Sequence, residues 1–110
     1  MKIAVATSNE IDVDHFGKAN KFLIYEFNGE KFTFIEYRDS KKIKGEKHQW
    51  QKSLSAIEDC DVVISSQAGL KGKLGLKNAG IRLVEDEGSI DEVLERYIKH
   101  YKFMKKPLNF

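Results

Sequence analysis

A chain of 110 residues, 41% hydrophobic and 33% charged, carries enough apolar matter for one core and not two; a single domain is expected over residues 1–103, with a short tail at 104–110. One cysteine, Cys60, excludes an internal disulfide and a cysteine-rich zinc site, and a net charge of +2 excludes a polyelectrolyte binder acting through the whole chain. No apolar run approaches the roughly 20 residues that cross a bilayer, and Met1-Lys2-Ile3-Ala4-Val5 does not open a long apolar stretch, so a cytoplasmic location with no membrane partner is expected.

Ile3-Ala4-Val5-Ala6-Thr7 is apolar on both alternating faces, which suits a central strand covered on both sides. Phe22–Phe27 and Phe32–Tyr37 are aromatic and β-branched, and Asn28-Gly29 between them offers the positive φ angles of a tight hairpin turn. Asp39 to Gly45 is polar, lysine-rich and aperiodic, as in an exposed loop. Trp50, Leu54 and Ile57 form one stripe of a helix ending near Asp59, and Cys60–Ser65 follows as a buried strand. Leu70 and Leu74 suggest a second helix despite Gly72 and Gly75 inside it, with Gly80 placed to stop it. Ile81–Val84 returns as a strand. Ser89-Ile90-Asp91-Glu92 has capping-box spacing, and Ile90, Val93, Leu94, Tyr97, Ile98 and Tyr101 give the last helix a continuous apolar face. The alternation implies parallel pairing in the second half and antiparallel pairing in the first, hence an α/β fold with a five-stranded mixed sheet flanked by helices.

Loops leaving the carboxyl ends of such strands usually build the site, and two qualify. In the first, Ser8 to Ala19, the residues Asp12, Asp14 and His15 supply oxygen and nitrogen donors, and Gly17 would let a ligand approach the backbone closely. In the second, Ser65 to Lys73, a strand-to-helix turn containing Ser66 and Gly69 offers free backbone N–H groups and nearby lysines to an anion, without the spacing of a P-loop. Cys60 begins an apolar strand and reads as a buried small hydrophobe. Arg38, Lys41, Lys42, Lys44 and Lys47 crowd one stretch, with His48 beside it, and Glu85-Asp86-Glu87 forms an acidic run; ordinary solvated surface accounts for both patches.

Met1-Lys2-Ile3-Ala4-Val5-Ala6, His15-Phe16-Gly17-Lys18-Ala19 and Phe22-Leu23-Ile24-Tyr25 together resemble the start of the dinitrogenase iron–molybdenum cofactor biosynthesis family, which includes NifX-like carriers and the carboxyl-terminal domain of NifB. The resemblance continues through Asp59–Ile64 and Asn78–Ile81, whereas the turn Ser65–Gly72 departs from the glycine-rich, proline-containing turn of many relatives. It implies a ribonuclease H-like three-layer fold and a non-catalytic role in binding or transiently carrying an iron–sulfur or iron–molybdenum-type cluster. It also makes His15 the metal-ligand candidate, with Phe16 and Gly17 shaping its setting and Ser66 and Gly69 as further cofactor-binding candidates. The implied partner is a metallocluster donor or acceptor protein, and a homodimer would pool the few ligands of each chain. Asp12 and Asp14 then take loop-forming roles, because carboxylates repel an anionic cluster.

A catalytic reading lacks its parts: the first strand carries no acid, Asp61 lies at the wrong end of its strand to meet Asp12 or Asp14, and no nucleophile–base set assembles. The alternative is a protein or nucleic-acid interaction module using the basic loop 38–47. That loop lacks the interleaved aromatics of single-strand binders, which counts against nucleic acid.

Overall fold

The computed structural model, which describes residues 1–43, 45–46 and 49–105, places β1 (Lys2–Thr7) at the centre of a five-stranded sheet. Its composition explains the position: Ile3 and Val5 enter a core on one face, Ala4 and Ala6 a core on the other, and all four are fully buried. β2 (Lys21–Phe27) runs antiparallel to β1, with Ile3 opposite Tyr25 and Val5 opposite Leu23, and β3 (Phe32–Asp39) runs antiparallel to β2 at the edge. Across β1, strands β4 (Val62–Ser65) and β5 (Arg82–Glu85) are parallel, which gives the order β3-β2-β1-β4-β5. Only β2 opposes the common direction. Helices α1 (Trp50–Ala56) and α2 (Leu70–Asn78) cover the Ala4–Ala6 face, and α3 (Ile90–Lys105) covers the Ile3–Val5 face. The expected α/β architecture with a mixed sheet is therefore present, in three layers.

Several local expectations are corrected. The hairpin loop has four residues, Asn28 to Lys31; Gly29 takes the positive φ of 96°, while the Asn28 side-chain oxygen accepts the N–H groups of Glu30 and Lys31, both at 2.9 Å. α1 ends at Ala56, short of Asp59, because Ile57 N–H donates to Leu54 and Cys60 N–H to Ile57 in tight turns that bring the chain into β4. Ile57 is fully buried all the same. In α2 the predicted stripe is displaced: Leu70 and Leu74 are 74% and 52% exposed, and the buried residues are Gly72 and Leu76. The glycines make this possible. An added Cβ on Gly72 would stand 3.2 Å from Phe16 Cδ2, and one on Gly75 would stand 2.5 Å from Trp50 Cζ3.

α3 follows its reading closely, with Ser89 Oγ accepting the Glu92 N–H at 3.2 Å and its hydroxyl donating to Glu92 Oε1 at 2.9 Å. The helix continues through Lys105, past the expected boundary at 103; positions 106–110 of the tail lie outside the described residues.

Candidate functional site

β1, β4 and β5 point the same way, so the loops that follow them emerge on one edge of the sheet and are tied together through their backbones. Ser66 N–H donates to the Asp14 carbonyl at 3.0 Å and Phe16 N–H to the Gln67 carbonyl at 2.8 Å, a two-bond clasp on either side of His15. Val13 N–H donates to Gly88 and Ile90 N–H to Ile11, which fastens the same first loop to the start of α3. The two candidate loops read from the sequence thus share one place. Within it, His15 and Ser66 are half-buried, while Gly17 and Gly69 are exposed.

Phe16 is the anchor. Only 1% exposed, it packs on Phe22 with ring centroids 6.1 Å apart and against the first turn of α2 at Gly72. The His15 carbonyl accepts the N–H groups of Lys18 and Ala19 at 3.1 and 2.9 Å, which closes residues 15–19 into a tight turn. Among the described residues no side chain hydrogen-bonds the His15 imidazole. The Asp14 carboxylate is engaged in the loop: Oδ1 accepts the His15 backbone N–H at 2.7 Å and Oδ2 the Ser8 hydroxyl at 2.6 Å. Asp12 likewise accepts the Asn9 side-chain amide at 3.1 Å. Gly17 and Gly69 have no positive φ, and a Cβ added to either would meet nothing within 4 Å. Packing does not require glycine at either position; both leave open backbone at the surface beside His15 and at the start of α2.

Fixed partial charge at this edge is positive. Gly69, the N-cap of α2, offers no side-chain cap, and the first turn holds no acid, so the uncapped N–H groups and the helix dipole present their positive end. Lys18 and Lys71 are exposed and unpaired among the described residues, whereas Lys73 is bound to Glu85 at 3.3 Å. In the acidic run, Asp86 is held by Arg96 at 2.9 Å, and Glu87 is exposed.

Sequence reasoning missed one contributor. Lys42, read as part of a solvated basic loop, turns inward and donates to the carbonyls of Phe16 at 3.2 Å and Ala19 at 2.5 Å. Ser53 of α1 and Ser40 after β3 donate to the same two carbonyls, at 2.8 and 3.0 Å. No spacing signal in a lysine-rich stretch marks which lysine folds inward.

Of the basic residues described in this stretch, Lys41 is exposed and the other two are engaged within the fold. Arg38 is clamped by Asp59 and Glu36, with Nη2 at 2.9 Å from Asp59 Oδ2, and Lys42 faces the first loop; Lys44, Lys47 and His48 lie outside the described residues. Two open cavities, about 300 and 460 Å³, both have Asp39 in their lining, and neither is lined by His15. Cys60 is buried as expected, and burial pushes its thiol up to about 11, which disfavours the thiolate. Among the described residues no three His, Cys, Asp or Glu side chains converge as a metal site. No described helix is long and apolar enough to cross a membrane.

Residues 1–100 match the family described as dinitrogenase iron–molybdenum cofactor. The chain belongs to that family. Over 95 residues, 84% of the chain, it is 32% identical to the FeMo cofactor biosynthesis protein NifB of Chlorobaculum tepidum, but it spans only 22% of that relative's length. Among solved structures it is similar to PH0822, with a TM-score of 0.75 at 20% identity over 96% of this chain and all of that one. It is also similar to the apo form of the orange protein from Desulfovibrio gigas, with a TM-score of 0.73 at 18% identity over 91% of this chain and 88% of that one. At such identities the structural likeness is one of fold.

Proposed function

We propose that this member of the family is a non-catalytic binding or carrier protein for an anionic metallocluster of the iron–sulfur or iron–molybdenum-precursor type. His15 would be its direct metal contact, and Phe16, Gly17, Ser66 and Gly69 would shape and border the seat. The observation that carries the reading is the backbone clasp of Asp14 and Phe16 on Ser66 and Gln67, which holds an imidazole that no described side chain hydrogen-bonds beside the uncapped start of α2. Imidazole is a borderline-soft ligand suited to iron, and a helix N-terminus and free lysines favour a negatively charged cargo. With no set of three ligand-type side chains converging among the described residues, further metal positions would fall to the cluster's own sulfides, to a donor or acceptor protein, or to His15 of a second copy. The role of the NifB relative in FeMo cofactor biosynthesis supports a cargo of this class, handed between proteins inside the cell. A ribonuclease H-like classification of the sandwich is supported by its strand order and by β2 being the one reversed strand.

Anaerobic reconstitution with iron and sulfide tests the reading. The wild type is expected to retain iron through desalting, with charge-transfer absorption in the visible, and a folded His15→Ala variant is expected to lose both. Equal iron retention by the variant would overturn the assignment.

A further inference from the structure

Lys42 is the one described cationic side chain outside residues 15–19 that hydrogen-bonds the His15 turn, and it pairs with no carboxylate among the described residues. It spans both ends of the turn by donating to Phe16 and Ala19, whose carbonyls each already accept a serine hydroxyl. Removing the ammonium would orphan neither carbonyl, so the need to satisfy them does not by itself account for a charge at this place. The charge is also expensive, because a half-buried ammonium gives up hydration without gaining a counter-ion. The charges facing it are few: Asp14, from the first loop, is the one carboxylate whose field favours its protonated form. Asp14 is itself occupied by Ser8 and by the His15 N–H.

From this geometry we infer that Lys42 is the positioning residue of the His15 turn and the built-in cation of the seat, holding Phe16 and Ala19 while awaiting a negatively charged cargo as its missing counter-ion. The inference rests on the carrier reading above and deepens it, since the cargo must be anionic at the face nearest Lys42. Neutral or cationic metal species should gain nothing from it.

Three variants, Lys42→Met, Lys42→Arg and His15→Ala, are compared with wild type by two readouts: iron retained after reconstitution with iron and sulfide at low and high salt, and hydrogen exchange of the Lys18 and Ala19 amides without cargo. Lys42→Met is expected to keep or raise the melting temperature, to speed exchange at those two amides, and to weaken iron retention by about tenfold with a flatter salt dependence. Lys42→Arg should recover part of the retention. Unchanged exchange together with wild-type retention in Lys42→Met would overturn the inference, and so would a loss of retention that merely tracks a fall in melting temperature. If wild type retains no iron, the carrier reading fails; exchange at Lys18 and Ala19 still decides whether Lys42 sets the turn.

Discussion

Lys42 should make the protein less stable at neutral pH than it need be. Burial pushes its pKa down from 10.5 to about 8. For a base whose folded pKa lies below the unfolded one, the unfolded chain still holds its proton across the window between the two values, so stability rises with pH there. The penalty is present in full below pH 8 and is gone above 10.5. At about 1.36 kcal/mol per pH unit the window sets a ceiling of about 3 kcal/mol. Solvent screening at a half-exposed site brings this down to about 1–2 kcal/mol. Lys42→Met removes the penalty and leaves Ser53 and Ser40 on the two carbonyls. Urea denaturation near neutrality should therefore find the variant more stable by about 1 kcal/mol, and the gap should close as the pH approaches 10. Comparing the two proteins cancels Tyr25 and Tyr97, whose pKa values burial pushes up and which act with opposite sign. A variant less stable than wild type at neutral pH, with a gap that does not move with pH, would refute the reasoning.

Phe16→Ala should cost about 3–5 kcal/mol in chemical denaturation, because it empties a site closed by Phe22 and Gly72 that no exposed side chain can refill. Gly75→Ala, despite a helix-propensity gain of about 1 kcal/mol, should be net destabilising because its Cβ would stand 2.5 Å from Trp50; tryptophan fluorescence would report the displaced indole. The guanidinium of Arg38 and the ammonium of Lys2 hold the Asp59 carboxyl well below its usual range, so its contribution is present above pH 3.8 and is lost as the pH falls toward its lower folded value. Asp59→Asn should accordingly flatten the acid limb of a melting-temperature profile, whereas an unchanged limb would mean that the Arg38–Asp59–Lys2 clip adds nothing.

Elements whose side chains report burial directly could be read from the sequence. β1 alternates small and branched residues without a single charge between Ile3 and Thr7, and α3 sets Ile90, Val93, Leu94 and Tyr97 on one stripe, so burial and period agree. α2 failed this test because its contact face is made of absent side chains. Gly72 and Gly75 allow Phe16 and Trp50 to approach the helix, and a pattern search that counts leucines picks the exposed face instead. The His15 loop was legible as a candidate from its residue types and family likeness, but its pairing with the second loop runs through backbone groups of Asp14, Phe16, Ser66 and Gln67, which every residue type carries. Lys42 was illegible for a related reason. Burial of a single lysine among several depends on where Phe16 and Ala19 present their carbonyls, which is a tertiary fact.

The central claim is that the His15 imidazole touches the cargo. Electron spin-echo envelope modulation on the reduced, iron-and-sulfide-loaded protein reads such a contact as hyperfine coupling to a directly bound nitrogen. The account predicts that coupling in wild type and in Lys42→Arg, and its disappearance in any cluster retained by His15→Ala. Loaded wild-type protein without strong nitrogen coupling, or with the same coupling after His15→Ala, would contradict it.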